Sequence, residues 1–180
     1  MTDVLFIQGA GEGAHEVDAK LVASLAAHLG AEYSVRYPAM PAEGEPMYAA
    51  WASTLSRELA STEAGFVLVG HSLGASLVLR YLALNDVEPR PAAVFLVSAP
   101  FIGPRGWSGA DFELPLRAAA KLGTTMMFFY HGDADEVVPA AHVGLYEQAF
   151  AHATVRLLAA RNHQLHDDLS AIAADIRLLH

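Results

Sequence analysis

The stretch FVLVGHSLG at residues 66–74 decides the fold. Residues 66–69 form an apolar run with two β-branched valines, which is typical of a buried parallel strand. Residues 73–84 then follow a helical pattern that no Gly or Pro interrupts after Gly74. The sequence therefore places Ser72 in a sharp turn between a strand and a helix. Such a turn strains the backbone and exposes the serine hydroxyl above the edge of the sheet.

The neighbours of Ser72 suit a reacting nucleophile. A side chain at Gly70 or Gly74 would collide with the adjacent strand or helix, so glycine is needed at both positions. The helix that starts at Leu73 directs its positive end at the serine, which favours a developing oxyanion. A hydroxyl is a weak nucleophile at neutral pH and needs a base to remove its proton. A simple helix N-cap is the alternative role for Ser72.

Two later strands end in loops that can supply an acid and a base. The apolar residues 126–130 precede the loop HGDADEVVP at residues 131–139. Residues 154–158 precede RNHQLH at residues 161–166. Ser, then Asp, then His is the chain order of a known catalytic triad. Within the last loop His163 is favoured over His166, because His163 lies nearer the end of the strand.

These motifs resemble the α/β-hydrolase family, and the match runs in order along almost the whole chain. The segment Met40-Pro41 with Pro46 and Trp51 is similar to its compact, cap-less branch, which includes small serine hydrolases of the retinoblastoma-binding-protein type. The sequence departs from many relatives beside the histidine, where Asn162 and Gln164 replace a Gly and an aromatic residue.

The resemblance implies a role for each residue of the site. Ser72 is the nucleophile, His163 the base and Asp135, rather than Asp133, the acid that orients it. The oxyanion hole then uses the backbone N–H of Leu73 and one N–H from the loop after the first strand. Ala10 is the choice there, and Gly11 is the alternative.

Strands and helices alternate along the rest of the chain. Residues 15–29, for example, read as a helix with Val17, Leu21, Leu25 and Leu29 at spacings of four. The pattern predicts a single α/β domain over residues 1–180: a three-layer α/β/α, doubly wound fold with a mainly parallel six-stranded sheet. About 25 residues with several helix breakers separate the fourth and fifth strands, too few for a large lid. An open site favours small or medium acyl groups.

Composition and charge limit the classes of molecule that the protein is expected to bind. The net charge of −9, with no basic run, argues against nucleic acid and anionic membrane surfaces. No signal peptide is visible, so a cytoplasmic location is expected. The chain has no cysteine, and its histidines lack the spacing of a metal site. No metal or cofactor is therefore expected, and the substrate is expected to be a small-molecule ester. The oligomeric state stays open.

Three function classes follow. The first is hydrolysis of carboxylic esters or thioesters through an acyl-enzyme, although the same residues also serve amidases, lactonases and perhydrolases. The second is a binding module on a hydrolase scaffold with little or no turnover. The third is dinucleotide binding at Gly9-x-Gly11-x-x-Ala14, which Glu12 and Glu16 oppose by repelling a pyrophosphate. Four apolar residues before the fifth strand are candidates for an acyl pocket: Phe101, Ile102, Trp107 and Phe112.

Overall fold

Six strands form one sheet in the computed structural model, which describes residues 1–179; His180, one of the histidines considered above, lies outside the described residues. The strands are β1 (Thr2–Ile7), β2 (Tyr33–Arg36), β3 (Val67–His71), β4 (Ala93–Val97), β5 (Met127–Gly132) and β6 (Thr154–Leu158). Their order across the sheet is β2-β1-β3-β4-β5-β6, and every neighbouring pair is parallel. The predicted six-stranded, doubly wound sheet is confirmed.

Helices cover both faces of the sheet. They are α1 (Ala14–Leu29), α2 (Tyr48–Leu59), α3 (Leu73–Leu84), α4 (Ala118–Lys121), α5 (Ala141–Ala149) and α6 (Ser170–Arg177), with short 3-10 turns at Ala110–Phe112 and Leu165–Asp167. Alternate strand residues point to opposite faces. Thus Val4 and Phe6 pack with α1 and α6, whereas Leu5 and Ile7 pack with α2 and α3. The three predicted layers are confirmed.

The strand order reverses between β1 and β3, which places the site. β1 pairs with β2 on one side and with β3 on the other, so the loops after β1 and β3 diverge to opposite faces. In parallel α/β sheets, ligands bind at the carboxyl ends of the strands near such a reversal. Ser72 follows β3 directly, and the loops after β1, β5 and β6 end at the same edge.

The buried face of α1 is rotated relative to the predicted apolar face. Its buried positions are Asp18, Leu21, Leu25 and Leu29, whereas Val17 is 45% exposed. A stripe spaced at three and four residues follows the helical period of 3.6 more closely than a strict spacing of four. Because the prediction placed Val17 on the buried face, it did not identify the buried carboxylate of Asp18.

The segment between β4 and β5 is fixed to the body of the protein. Phe112 is buried and contacts the rings of Tyr48 and Trp51 edge-on at 5.8 and 6.1 Å. The Arg80 guanidinium donates to the carbonyl of Glu113, and the Leu114 amide donates to the Ile102 carbonyl at 2.9 Å. The absence of a large lid over these residues agrees with the prediction.

Within residues 1–179 no helix has the length and apolar character to cross a bilayer.

Candidate active site

Ser72 occupies the strained turn that the sequence predicts. Its φ and ψ are 50° and −124°, a region that non-glycine residues rarely adopt. A Cβ atom at Gly70 would lie 2.7 Å from Cα of Ala75, and one at Gly74 would lie 2.2 Å from the carbonyl oxygen of Gln8. Both glycines are therefore required by the close approach of α3 to β3 and to the end of β1. The Ser72 amide donates to the Val97 carbonyl at 2.8 Å, which holds the turn against β4.

Asp135 and His163 form a tight pair. Nδ1 of His163 lies 3.0 and 2.9 Å from the two carboxylate oxygens of Asp135, whose side chain is fully buried. The amides of Val137 and Val138 donate to the same carboxylate at 2.9 and 2.8 Å. Burial by itself raises the pKa of Asp135, but hydrogen bonds from His131, His163 and Val138 outweigh it and hold that pKa far below its usual range. The carboxylate is thus ionised at neutral pH.

An ionised carboxylate can only accept hydrogen bonds, so Nδ1 of His163 carries the proton. The other ring nitrogen, Nε2, is then the one able to accept a proton. Ser72 and His163 line the same cavity. Among the described residues, none forms a hydrogen bond with the Ser72 hydroxyl, and in unliganded enzymes such catalytic contacts often tighten only when substrate binds.

The backbone of His163 is held from three sides. Its amide donates to Oε2 of Glu136 at 3.2 Å. Its carbonyl accepts from Oγ of Ser98 at 2.8 Å and from Nε2 of His71 at 3.2 Å. The position of the ring is therefore set by groups at the ends of β3, β4 and β5, and not by the Asp135 contact alone.

The cavity beside Ser72 has a volume of about 240 Å³. Its apolar lining includes Ala10, Ala14, Val17 and Val137, and its polar lining includes Gln164. Val17 and Val137 are 45% and 50% exposed, so they form part of an apolar mouth. None of these residues is aromatic.

The predicted acyl-pocket residues lie elsewhere. Ile102 and Phe112 are buried in the core, Phe101 packs on the ring of Tyr146 at 5.0 Å, and Trp107 contacts the ring of His142 at 5.2 Å. None of the four lines the cavity that contains Ser72. Phe112 packs against α2, and Phe101 and Trp107 contact Tyr146 and His142 of α5, so these side chains are directed away from the Ser72 cavity although Trp107 stays 40% exposed.

The amides of the loop after β1 differ in what they bind. The Gly9 amide donates to Oδ2 of Asp18 at 2.7 Å, and the Gly11 amide donates to the Glu43 carbonyl at 2.8 Å. In the part of the chain that the structure describes, no group accepts a hydrogen bond from the amides of Ala10 and Leu73. The described structure therefore contains two unpartnered amides near Ser72, one in the loop after β1 and one on the residue that directly follows the serine.

Glu43 fixes this loop, a role with no signal in the sequence. Its carboxylate accepts from the amides of Gly13 and His15 at 2.9 and 2.8 Å and from Nε2 of Gln8 at 2.7 Å. These hydrogen bonds, the one from His15 first, lower the pKa of Glu43. Glu43 therefore occupies the start of α1, where a dinucleotide would need its pyrophosphate. His15 is hydrogen-bonded to Oε1 of Gln8 and stacks on the ring of Tyr37 at 4.2 Å, and it does not line the cavity beside Ser72.

A second histidine–aspartate pair, Asp18 and His71, borders the same cavity as Ser72. Nδ1 of His71 and Oδ2 of Asp18 are 2.8 Å apart, and both residues are 1% exposed. Sequence analysis missed this pair because it placed Val17, and not Asp18, on the buried face of α1.

Across residues 1–179, no cluster of three or more His, Cys, Asp or Glu side chains could hold a metal ion.

Known proteins share this fold. The ydeN gene product of B. subtilis is 20% identical with a TM-score of 0.81, and the match covers 99% of this chain and 98% of that one. A thioesterase domain from the curacin biosynthetic pathway is 16% identical with a TM-score of 0.71, over 98% of this chain and 91% of that one. The esterase domain of a Rhodothermus marinus protein is 20% identical with a TM-score of 0.68, over 98% and 86%.

Sequence comparison identifies the family. A search of curated proteins found no match. The profile described as the alpha/beta hydrolase family, in contrast, matches residues 4–179, and the elements of that fold occur here in order around a serine turn. The chain therefore belongs to the alpha/beta hydrolase family.

Proposed function

We propose that this protein is a serine hydrolase that cleaves carboxylic esters or thioesters of small or medium acyl groups through an acyl-enzyme. One observation carries the proposal: a buried, ionised Asp135 holds Nδ1 of His163 in the cavity that also contains the strained Ser72. This leaves Nε2 of His163 as the base for the serine hydroxyl. The similarity of the fold to a thioesterase domain and to an esterase domain supports this substrate class.

Acylation starts with the Ser72 hydroxyl. Its oxygen attacks the carbonyl carbon of the ester while Nε2 of His163 takes the proton. The carbonyl electron pair moves onto oxygen, and the resulting oxyanion is stabilised by hydrogen bonds. When the intermediate collapses, the bond to the alcohol or thiol breaks and His163 returns the proton to the leaving group. The acyl group stays on Ser72.

Deacylation repeats these steps with water. His163 takes a proton from the water as it attacks the acyl-enzyme, and then gives the proton back to Ser72. Asp135 stays ionised throughout and stabilises the imidazolium that forms twice in the cycle. Its low pKa suits this role, because a proton transferred from His163 to Asp135 would be unfavourable.

We assign the oxyanion hole to the amides of Leu73 and Ala10. The alternative, Gly11, already donates to the Glu43 carbonyl at 2.8 Å, and Gly9 donates to Asp18. Ala10 has no such partner among the described residues and lines the cavity with Ser72. Leu73 begins α3, so its amide points out of the helix start and is free to donate.

A fluorophosphonate probe tests the proposal. We expect covalent labelling of the wild type, with the phosphonyl group on Ser72 by peptide mass spectrometry. Ser72→Ala should abolish labelling, and His163→Asn should slow it by several orders of magnitude. Ser76→Ala is the matched control, because Ser76 lies on the same helix but donates to the Pro100 carbonyl. Absence of labelling in folded wild type would favour a binding module over an enzyme.

A further inference from the structure

Asp18 connects segments that the reaction needs together. Its Oδ2 accepts from the Gly9 amide at 2.7 Å and from the His71 ring at 2.8 Å, and its Oδ1 accepts from Nε2 of Gln164 at 3.1 Å. Gly9 precedes Ala10, His71 precedes Ser72, and Gln164 follows His163. One buried carboxylate on α1 therefore contacts the immediate neighbours of the oxyanion donor, the nucleophile and the base.

His71 completes the connection. Its Nδ1 faces the Asp18 carboxylate and its Nε2 faces the carbonyl of His163 at 3.2 Å. Both partners are acceptors, whereas a neutral imidazole has only one N–H to donate. The geometry is thus that of an imidazolium with two donated hydrogen bonds. Burial lowers the pKa of His71, but the Asp18 carboxylate more than offsets this and the pKa is raised overall.

We propose that Asp18 and His71 are positioning residues for hydrolysis, acting as a buried ion pair that fixes the Ala10 amide and His163 around Ser72. The inference rests on the proposed function of the Ser72 site. Both side chains border the cavity that contains Ser72, but neither exchanges a proton with the substrate in the proposed reaction. It acts through Gly9 on one side and through the His163 carbonyl on the other.

Neutrality is the second part of the role. Beside the oxyanion loop, an unpaired Asp18 carboxylate would repel the negative charge that develops on the substrate oxygen. The His71 cation cancels that charge. Removing His71 alone should therefore lower kcat more than removing both charges does. If the pair were merely a structural contact, the double variant would instead be at least as impaired as the single one.

Three variants test this with p-nitrophenyl acetate and with the rate of fluorophosphonate labelling. We expect His71→Gln to lower kcat by about 10²-fold, as misplacement of catalytic groups typically does, with KM changed less. The double variant Asp18→Asn/His71→Gln should recover about tenfold of that loss, whereas Asp18→Asn alone should lie between them. Asp175→Asn is the matched control, because Asp175 on α6 is hydrogen-bonded to Arg156 on β6 and to Tyr130 on β5, and it does not line the cavity beside Ser72.

Nuclear magnetic resonance of the wild type tests the pair without relying on a foldable variant. With ¹⁵N-labelled histidine at pH 7, His71 should show protons on both ring nitrogens. A single protonated nitrogen would overturn the inference, as would folded His71→Gln with an unchanged kcat or a double variant whose loss is the product of the single losses. Failure of the wild type to label would instead refute the proposed function, and the ring signals would still decide the state of the pair.

Discussion

Gly74 and Gln8 approach each other so closely that a Cβ atom at Gly74 would lie 2.2 Å from the Gln8 carbonyl oxygen. The same atom would lie 2.7 Å from the carbonyl oxygen of Ile7. Through this contact the start of α3 rests against the end of β1. Leu73 directly precedes Gly74, and Ala10 follows Gln8 by two residues, so this contact fixes the two segments that carry the proposed oxyanion donors against each other.

The first prediction follows from this contact. Gly74→Ala should displace the start of α3 or the end of β1, because both clashing groups are backbone. We expect a loss of about 1–3 kcal/mol in the free energy of unfolding. Activity should fall further, by about 10²-fold in kcat, since a displacement of about 1 Å would move the proposed oxyanion donors apart. Urea unfolding and ester hydrolysis measure the two effects.

Gly144→Ala is the control for this substitution. Gly144 lies within α5, and a Cβ there would meet nothing within 4 Å. Replacing a helical glycine by alanine should stabilise the protein by about 0.5–1 kcal/mol and leave kcat unchanged. Equal effects at the two positions would mean that the approach of α3 to β1 does not position the site.

The second prediction concerns the acid. Asp135→Asn should lower kcat by about 10⁴-fold, because a neutral amide no longer fixes the His163 tautomer or stabilises its cation. Asp133→Asn is the matched control. Its carboxylate is exposed and accepts from the Ala160 amide at 2.6 Å, a bond that asparagine can keep. Steady-state kinetics on the two folded variants should differ by orders of magnitude, and the opposite ranking would reassign the acid to Asp133.

Local patterns were enough to predict the sheet and the main site candidates. The strands are short apolar runs separated by helical patterns, and Ser72 is flanked by glycines, so period and steric rules place these elements. The structure brings Asp135 and His163 together because both follow strands that end at one edge. The prediction that they act on Ser72 awaits the labelling experiment.

Contacts between distant loops were not predictable. Glu43 binds amides about 30 residues away, and nothing in its neighbourhood indicates a partner. Asp18 did carry a signal, since a carboxylate on an apolar stripe needs a buried partner, but the phase of α1 was set on Val17. Phe112 shows the converse: an apolar residue expected at the site is instead buried against Trp51. Apolar side chains indicate burial without showing against what.

The third prediction separates the two histidines of the last loop. His163→Asn should lower kcat nearly as much as Ser72→Ala, typically about 10⁴–10⁶-fold, and the double variant should be little worse because the residues act as a unit. His166→Asn should leave kcat nearly unchanged. His166 is exposed with a φ of 56°, a conformation that asparagine tolerates. Kinetics that favour His166 would show that the base was assigned wrongly.

The fourth prediction is a pH dependence of stability. The pKa of Asp18 is lowered: burial raises it, but the charge and hydrogen bond of His71 outweigh burial. The stability that Asp18 contributes is therefore present above its unfolded pKa of about 3.9 and is lost as pH falls through the folded value. The pKa of His71 is raised, so its contribution is present below about 6.5 and is lost as pH rises through its folded value.

Comparison of the wild type with Asp18→Asn measures this. The difference in unfolding free energy should be largest between about pH 4 and 6.5, where both groups are charged in the unfolded state as well as in the folded state, and should reach about 3 kcal/mol. It should shrink on either side of that window. Urea denaturation from pH 3 to 8 gives the two profiles. Parallel profiles would mean that the pair is not ionised in the folded protein.

The fifth prediction concerns acyl length. The cavity beside Ser72 has a volume of only about 240 Å³, and its mouth is formed in part by Val17 and Val137. Each buried methylene contributes about 0.8 kcal/mol, so kcat/KM should rise over the first few carbons of the acyl chain and then level off once the cavity is full.

The segment between β4 and β5 is fixed by buried Phe112 and the Arg80 contact, so no lid opens at a lipid surface. A series of p-nitrophenyl esters, measured in solution and as emulsions, checks both expectations; a steady rise to long chains, or strong activation on emulsions, would show that this segment moves to make a longer acyl site.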